Sequence, residues 1–469
     1  MFTTPIFLFL FLPVLLALHA AAPGRARNAL LLGASLLFYA WGEGAFTLVM
    51  LFSIAVNHRF GLWLGEPDQR YHRALLAIAL VVNLGLLGLF KYAGFIGANL
   101  ALLGLPITVE PVHMPIGISF FTFHAISYLI DIHRGKAQAR RSMIDFALYI
   151  ALFPQLVAGP IVRYHQLEHQ LGRRTVTLEG FAAGVRRFIF GLGKKMLIAN
   201  AVAGTANEIF KLDPGSLTAG VAWLGALAYT AQIYFDFSGY SDMAIGLAAM
   251  FGFRFPENFD YPYIARSMTG FWRRWHITLS SWFRDYLYIP LGGNRRGRAR
   301  EARNLVLVFF LCGLWHGASW TFVVWGLYHG GFLVLERGLR DRPWLRAVRP
   351  LGHVYALLAI VVGWVIFRAP DLPRALGMLR AMAGLGAARA LALPALPGLP
   401  GLHDRGVVLA LLLAAIFSCP VLPWLAARRP LAFPRLGAAA EVAGLFALLV
   451  AACTQVAAAT YNPFIYYRF

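Results

Sequence analysis

Apolar runs of close to twenty residues recur along the whole chain, and short loops rich in Lys and Arg separate many of them. A helix needs about 20 apolar residues to cross the hydrocarbon of a bilayer, and in lipid its backbone must satisfy its own hydrogen bonds. The pattern therefore predicts an all-α polytopic membrane protein with about 11–13 membrane-embedded helices, some of them re-entrant rather than full spans. The first run, residues 5–22, has no basic stretch before it, and Arg25 and Arg27 follow it. It reads as a span, not a cleaved signal. Further runs lie at 29–41, 46–64 and 74–90. The loops between them alternate: basic at 22–28, acidic at WGEG, basic at 65–73, then a Gly- and Pro-containing stretch ending near Met114. Basic loops favour the cytoplasmic side, which places the N-terminus outside.

The next segments are less regular. Residues 115–131 form a span interrupted by Ser119, Thr122, His124, Ser127 and Tyr128. Such groups either bond helix to helix or line a cavity, and the pattern leaves both open. The run at 144–158 breaks at FPQLVAGP, where Pro154, Gly159 and Pro160 suit a re-entrant bend shielded by protein. Residues 163–187 are polar and basic, a surface helix or loop. Apolar runs resume at 188–203 and 217–234, and later at 351–367, 407–426 and 438–460, with the Pro/Gly loop LALPALPGLPGLHDR before the last two. The terminal YNPFIYYRF suits a membrane–water boundary. Neither a soluble domain nor a repeat of fixed period shows. The reading is one membrane-embedded domain, 1–469, with N-terminal spans to 133, a core over 134–335 and C-terminal spans from 336.

Composition agrees. The chain is 59% hydrophobic and 13% charged, against about 45–50% and about 25% in soluble domains. The formal charge of +21 would suit a nucleic-acid partner, but the Lys and Arg sit in short inter-span loops. The bilayer is the expected partner and nucleic acid is not. Cys312, Cys419 and Cys453 lie in separate apolar runs and fit neither a disulfide framework nor a metal site.

Candidate chemistry concentrates between Tyr234 and Gly330, in YFDFSGYSDMAIG, FWRRWHITLSSWFRDYLYIPLGGNRR and CGLWHGASWTFVVWGLYHGG. At about 100° per residue the second piece reads as one amphipathic helix lying along the cytoplasmic interface. Trp272, Trp275, Leu279, Trp282, Phe283 and Tyr286 share its apolar face with His276, while Arg273 and Arg274 lie opposite. His276 is either functional or an anchor for that helix. The two arginines read first as contacts to lipid phosphates and second as contacts to a phosphate-bearing donor such as coenzyme A. On a continuous helix His316 shares a face with Cys312, Ser319, Trp320 and Val323. An ionisable residue inside a membrane segment is a functional candidate, and neutral imidazole is the usual base near pH 7. A histidine merely bonded to a neighbouring helix is the other reading. His329 falls at about 220° from His316 on the same wheel and reads as structural. Asp236, Ser238, Tyr240, Ser241 and Asp242 crowd one short stretch. The two carboxylates diverge by about 240° on a helix, so hydrogen bonding that shapes a cavity is expected, and no metal. The chain has no Walker, GxSxG or HExxH motif.

Several segments together resemble the membrane-bound O-acyltransferase superfamily, and within it the bacterial alginate O-acetylation proteins. They are MPIGISFFTFHAISYLIDIHRG, FPQLVAGPIVR, FDFSGYSDMAIGLAAMFGF, NFDYPYIARSMTGFWRRWHITLSSWFRDYLYIPLGGNR, LWHGASWTFVVWGLYHG, GWVIFRA and NPFIYYRF. The resemblance implies acyl transfer at a central tunnel through a bacterial cytoplasmic (inner) membrane. His316 would be the catalytic residue and His276 the second polar residue of the site. Arg273, Arg274, Trp272 and Trp275 would face the donor. Trp315, Ser319 and Trp320, with the Asp236–Asp242 cluster, would shape the chamber. The implied donor is acetyl-coenzyme A, and the implied acceptor is an extracytoplasmic polysaccharide, reached directly or through an extracytoplasmic acetyltransferase. A transporter without chemistry, a D-alanine cargo and a peptidoglycan acceptor are the competing expectations.

Overall fold

The computed structural model describes residues 2–66, 70–105, 112–339, 349–386, 404–428 and 434–458. The regular elements among these are all helical. Gly24–Leu64, His72–Leu102 and Gly437–Ala458 are long and apolar enough to cross a membrane. Shorter apolar helices are Phe7–Ala21, Gly352–Arg368 and Arg405–Phe417. The protein is an all-α polytopic membrane protein. Most of the LALPALPGLPGLHDR loop and the terminal NPFIYYRF lie outside the described residues.

The chain forms two compact units, Met1–Phe188 with Met243–Pro256, and Ile189–Asp242 with Glu257–Phe469. The first contains α1 (Leu12–Ala21), α2 (Arg27–Glu43), α3 (Thr47–Leu64), α4 (His72–Leu102), α5 (Ile118–His133), α6 (Met143–Ala151), the single turn α7 (Phe153–Leu156) and α8 (Tyr164–Gly172). Its centre is α5, on which α3, α4, α6 and α8 pack. All of α5 except Ile130 and His133 is buried. Of its polar residues, Ser127, Tyr128 and Asp131 bond neighbouring segments, whereas neither ring nitrogen of His124 has a partner among the described residues. Ser127 Oγ meets Tyr149 Oη at 2.9 Å, Tyr149 donates to Val162 O at 3.1 Å, and Asp131 Oδ2 pairs with His165 Nδ1 at 2.8 Å. Asn57 and Asn83 join α3 to α4 by two side-chain hydrogen bonds, each Nδ2 donating to the other's Oδ1 at 3.0 and 2.7 Å. A Cβ on Gly61 would overlap the Tyr128 ring, so glycine there lets α3 approach α5. At FPQLVAGP the chain leaves α6, makes the turn α7 and runs on without helix, buried throughout. Phe153 N donates to Ser35 Oγ, and Gln155 Nε2 to Tyr149 O, replacing bonds the helix lost.

Helix α9 (Leu178–Gly193) leads through a wider turn, Lys194–Ala199, into α10 (Asn200–Lys211), and α11 (Ala219–Met250) follows. The rest of the second unit holds α12 (Met268–Trp272), α13 (Ile277–Phe283), α14 (Arg298–His316), α15 (Trp320–Leu339), α16 (Gly352–Arg368), α17 (Leu372–Met382), α18 (Arg405–Phe417), α19 (Val421–Arg428) and α20 (Pro434–Ala458). Its tightest packing is the α14–α15 hairpin. A Cβ on Gly313 would overlap Phe322 O, and one on Gly326 would overlap Phe309 O. Two glycines thus bring the helix backbones into contact, and α16 packs along α15.

Candidate active site

The second unit gathers His276, His316 and His329 through a chain of aromatic rings. His276 comes from a local break. Ser267 caps α12 by accepting from Gly270 N at 2.9 Å. The Glu336 carboxylate of α15 accepts from Met268 N, Thr269 N and Thr269 Oγ1 at 2.5, 2.8 and 2.6 Å. A carboxylate at a helix N-terminus is favourable, and here it fixes α12 to α15. The helix then stops. His276 has φ 42° and ψ 55°, and α13 begins at the next residue. The single amphipathic helix expected over this stretch is therefore two short helices hinged at His276. The cause is Asn258, whose carbonyl accepts from Ile277 N at 2.9 Å. Its Oδ1 accepts from Thr278 Oγ1 at 2.8 Å, and its Nδ2 donates to Ser241 Oγ at 2.8 Å. With Oδ1 an acceptor, His276 Nδ1 is the donor across 3.0 Å. The bond selects the Nδ1–H tautomer and leaves a lone pair on Nε2. That Nε2 is buried and has no partner among the described residues. Phe237 stands edge-on to the His276 ring at 4.7 Å.

His316 is the last residue of α14, and Gly317 is extended. The face expected to join His316 with Ser319, Trp320 and Val323 does not exist, because a new helix starts at Trp320. A Cβ on Gly317 would overlap the Phe322 ring, so the chain turns there without room for a side chain. The His316 ring is buried among Trp315, Trp325 and Phe367, at centroid separations of 4.9, 5.1 and 5.2 Å. Trp315 lies 6.2 Å from His276, so one indole bridges the two histidines.

His329 enters from α15. It packs 4.8 Å from Trp325 and 5.1 Å from Trp272, and neither ring nitrogen has a partner among the described residues. The wheel had set it apart from His316, but that assumed one helix. On a hairpin the two histidines flank the same Trp325. Gly363 makes room for it, since a Cβ there would lie 2.8 Å from His329 Nε2.

The remaining expected residues divide. Trp272 and Trp275 are buried in the aromatic wall, with Trp275 at 4.7 Å from Trp364. The indole N–H groups of Trp272 and Trp325 are buried without acceptors among the described residues. Arg273 is exposed, and Arg274 donates to Asp260 O and Oδ2 at 2.9 and 2.6 Å. Asp236 and Asp242 do not share a role: Asp236 pairs with Lys195 at 2.7 Å and Asp242 with Lys194 at 2.6 Å. Ser238 and Tyr240 are buried on the same helix, and Ser241 bonds Asn258. Ser319 Oγ meets Thr321 Oγ1 at 2.7 Å in the hairpin bend, and Trp320 is 53% exposed, turned away from the aromatic box. Among the described residues no group of three His, Cys, Asp or Glu side chains is placed to hold a metal ion. Sequence reasoning gave no role to Asn258, Glu336, Trp325, Phe367, Lys194 or Lys195. The polar Asn that opens NFDYPY and a Lys pair inside an apolar run were the available signals.

Residues 71–373 match the model of the membrane-bound O-acyltransferase family, MBOAT. The chain is 51% identical to the probable alginate O-acetylase AlgI of Azotobacter vinelandii, over 82% of this chain and 78% of that one. It is 44% identical to the protein of the same name in Pseudomonas putida, over the full length of both. It is 37% identical to the peptidoglycan O-acetyltransferase of Helicobacter pylori, over 82% of this chain and 80% of that protein.

Proposed function

This chain belongs to the membrane-bound O-acyltransferase family, and from that premise we propose that it transfers acetyl groups from cytoplasmic acetyl-coenzyme A to an extracytoplasmic polysaccharide. Alginate or a similar exopolysaccharide is the acceptor, reached directly or through an extracytoplasmic acetyltransferase, and the cytoplasmic (inner) membrane is the location. The higher identity to proteins named alginate O-acetylases than to the peptidoglycan enzyme supports that acceptor class. Its relatives carry the names of acyl-transferring enzymes, which sets aside transport without chemistry.

One observation carries the site assignment: two buried histidines, His276 and His316, stand on either side of Trp315. His316 acts as general base. It takes the proton of the attacking hydroxyl as that oxygen bonds to the thioester carbonyl carbon. The tetrahedral intermediate expels the thiolate as the C–S bond breaks, and the imidazolium returns the proton to sulfur. His276 holds its Nε2 lone pair toward a hydroxyl or water and orients it. The Trp272 and Trp325 indoles supply N–H groups for the carbonyl oxygen as it gains charge. In such a water-poor box those dipoles act at low effective dielectric.

The test replaces His316 with Ala and measures polymer O-acetyl content beside the amount of protein in the membrane. Acetylation should fall by about 10²–10⁴-fold, the usual worth of a positioned acid–base group, with the protein level unchanged. Normal acetylation, or loss of the protein from the membrane, makes His316 a structural histidine.

A further inference from the structure

The first unit holds a basic cleft that the acyl-transfer chemistry does not use. Gly24, Arg27, Asn28, Gly172, Arg173 and Arg174 line a hollow of about 390 Å³, and no carboxylate is among its lining residues. A second hollow of about 730 Å³ shares Gly172 and Arg173 with it and adds Lys136, Arg140 and His169, with Glu168 as its one acid. Arg140 is already neutralised, since its Nε and Nη2 donate to Asp145 Oδ2 at 3.0 and 2.7 Å. Glu168 accepts from Gln138 N at 2.9 Å. The positive charge of Arg27, Arg173 and Arg174 stays in excess.

Arg174 shows that excess most clearly. Its Nε donates to Phe251 O at 3.0 Å and its Nη1 to Asn28 Oδ1 at 2.6 Å. Its guanidinium lies 4.1 Å over the Phe253 ring. The plane is thus fixed before any ligand arrives, yet Nη2 is buried without an acceptor among the described residues. Burial, and then the neighbouring charge of Arg27, push its pKa down to about 10, and Asp145 offsets only part of this. Two guanidinium groups held in each other's field, one of them with a donor unused, are stabilised by an anion between them.

We propose that this cleft is a phosphate-ester site, loaded from the cytoplasmic side by a nucleotide or by a lipid head group. Arginine forks match phosphate oxygens in pairs. The lining of polar side chains and main chain, with Leu171 its one large apolar member, suits a head group and not an acyl chain. Each hollow by itself falls within the size of ordinary small-molecule sites, about 300–1,000 Å³. The site stands apart from the assignment of His316 and holds whether or not that histidine is the base.

The experiment uses the purified full-length chain in detergent and two probes. Adenosine 3′,5′-bisphosphate is titrated by microscale thermophoresis against chloride at equal ionic strength. Retained phosphatidylglycerol is counted by native mass spectrometry. Arg173→Glu is the chief variant, because Arg173 is exposed and holds no other element in place. Arg27→Gln is the second. At least one probe should bind saturably, and each variant should weaken it by tenfold or more with the melting temperature unchanged. Nucleotide binding alone names a nucleotide, and retained lipid alone names the head group. If neither probe saturates, or both folded variants bind as the parent does, the cleft is no phosphate site.

Discussion

His276 occupies a left-handed backbone conformation, φ 42°, that non-glycine residues rarely adopt and that costs of order 1–3 kcal/mol. Asn258 offsets the strain with one backbone and two side-chain bonds around the break. Asn258→Ala should therefore lower activity more than it lowers stability. The lost bonds cost about 1–3 kcal/mol, while the imidazole loses both its tautomer and its aim. Detergent melting and acetyl transfer measured on the same preparation check this; an active Asn258→Ala protein would separate His276 from the chemistry. His276→Asn should melt above His276→Val, since Asn tolerates the left-handed region and a β-branched residue does not. None of this strain was legible in WRRWHITLSSWF. The stretch has no Gly or Pro and carries a clean apolar stripe. What breaks the helix is a side chain eighteen residues earlier in sequence, which no local pattern contains. Departures of this kind gather at functional sites.

At the scale of elements, the apolar runs were legible because length and composition alone make a membrane helix. Their joints were not. Residues 312–330 read as one span, and the structure makes them a hairpin that turns at Gly317–Ser319. That change brought His329 beside Trp325 and sent Trp320 outward. The glycines that permit the hairpin give the test. Gly326→Ala drives a Cβ into Phe309 O, a backbone atom that cannot rotate away. Overpacking of this sort costs about 1–3 kcal/mol, so the variant should melt lower and transfer less. Gly331→Ala, five residues on in the same helix with open space around its Cβ position, should be neutral or gain up to about 1 kcal/mol from helix propensity. Equal melting of the two would refute the close crossing. The polar span 115–131 is the opposite case: its residue types were legible, and the structure supplied partners for Ser127, Tyr128 and Asp131 on a buried α5, though not for the His124 ring among the described residues.

Across the whole molecule, hydropathy and charge announced a multi-pass helical membrane protein, and seven quoted segments announced its family. The partition into two compact units was not readable, because long-range packing decides it. Nor was the fate of the acidic cluster, whose partners Lys194 and Lys195 sit in an apolar run of their own. Lys195 and Asp236 are both nearly fully buried, at side-chain exposures of 3% and 2%. Breaking a buried pair from one side costs about 3–5 kcal/mol, whereas replacing both by apolar groups of similar volume is often neutral. Lys195→Met alone should cut the amount of protein in the membrane, and Lys195→Met with Asp236→Leu should restore it, as read by quantitative immunoblotting. The pair also bears on how the chain is made. A lone Lys or Asp at the centre of a helix costs about 2.5–3.5 kcal/mol on entering lipid through the translocon. The segment with Lys195 emerges from the ribosome before the segment with Asp236. Pairing with the later segment would offset the cost that the earlier one carries into lipid. Membrane entry is then expected to couple the two helices across the stretch of chain between them.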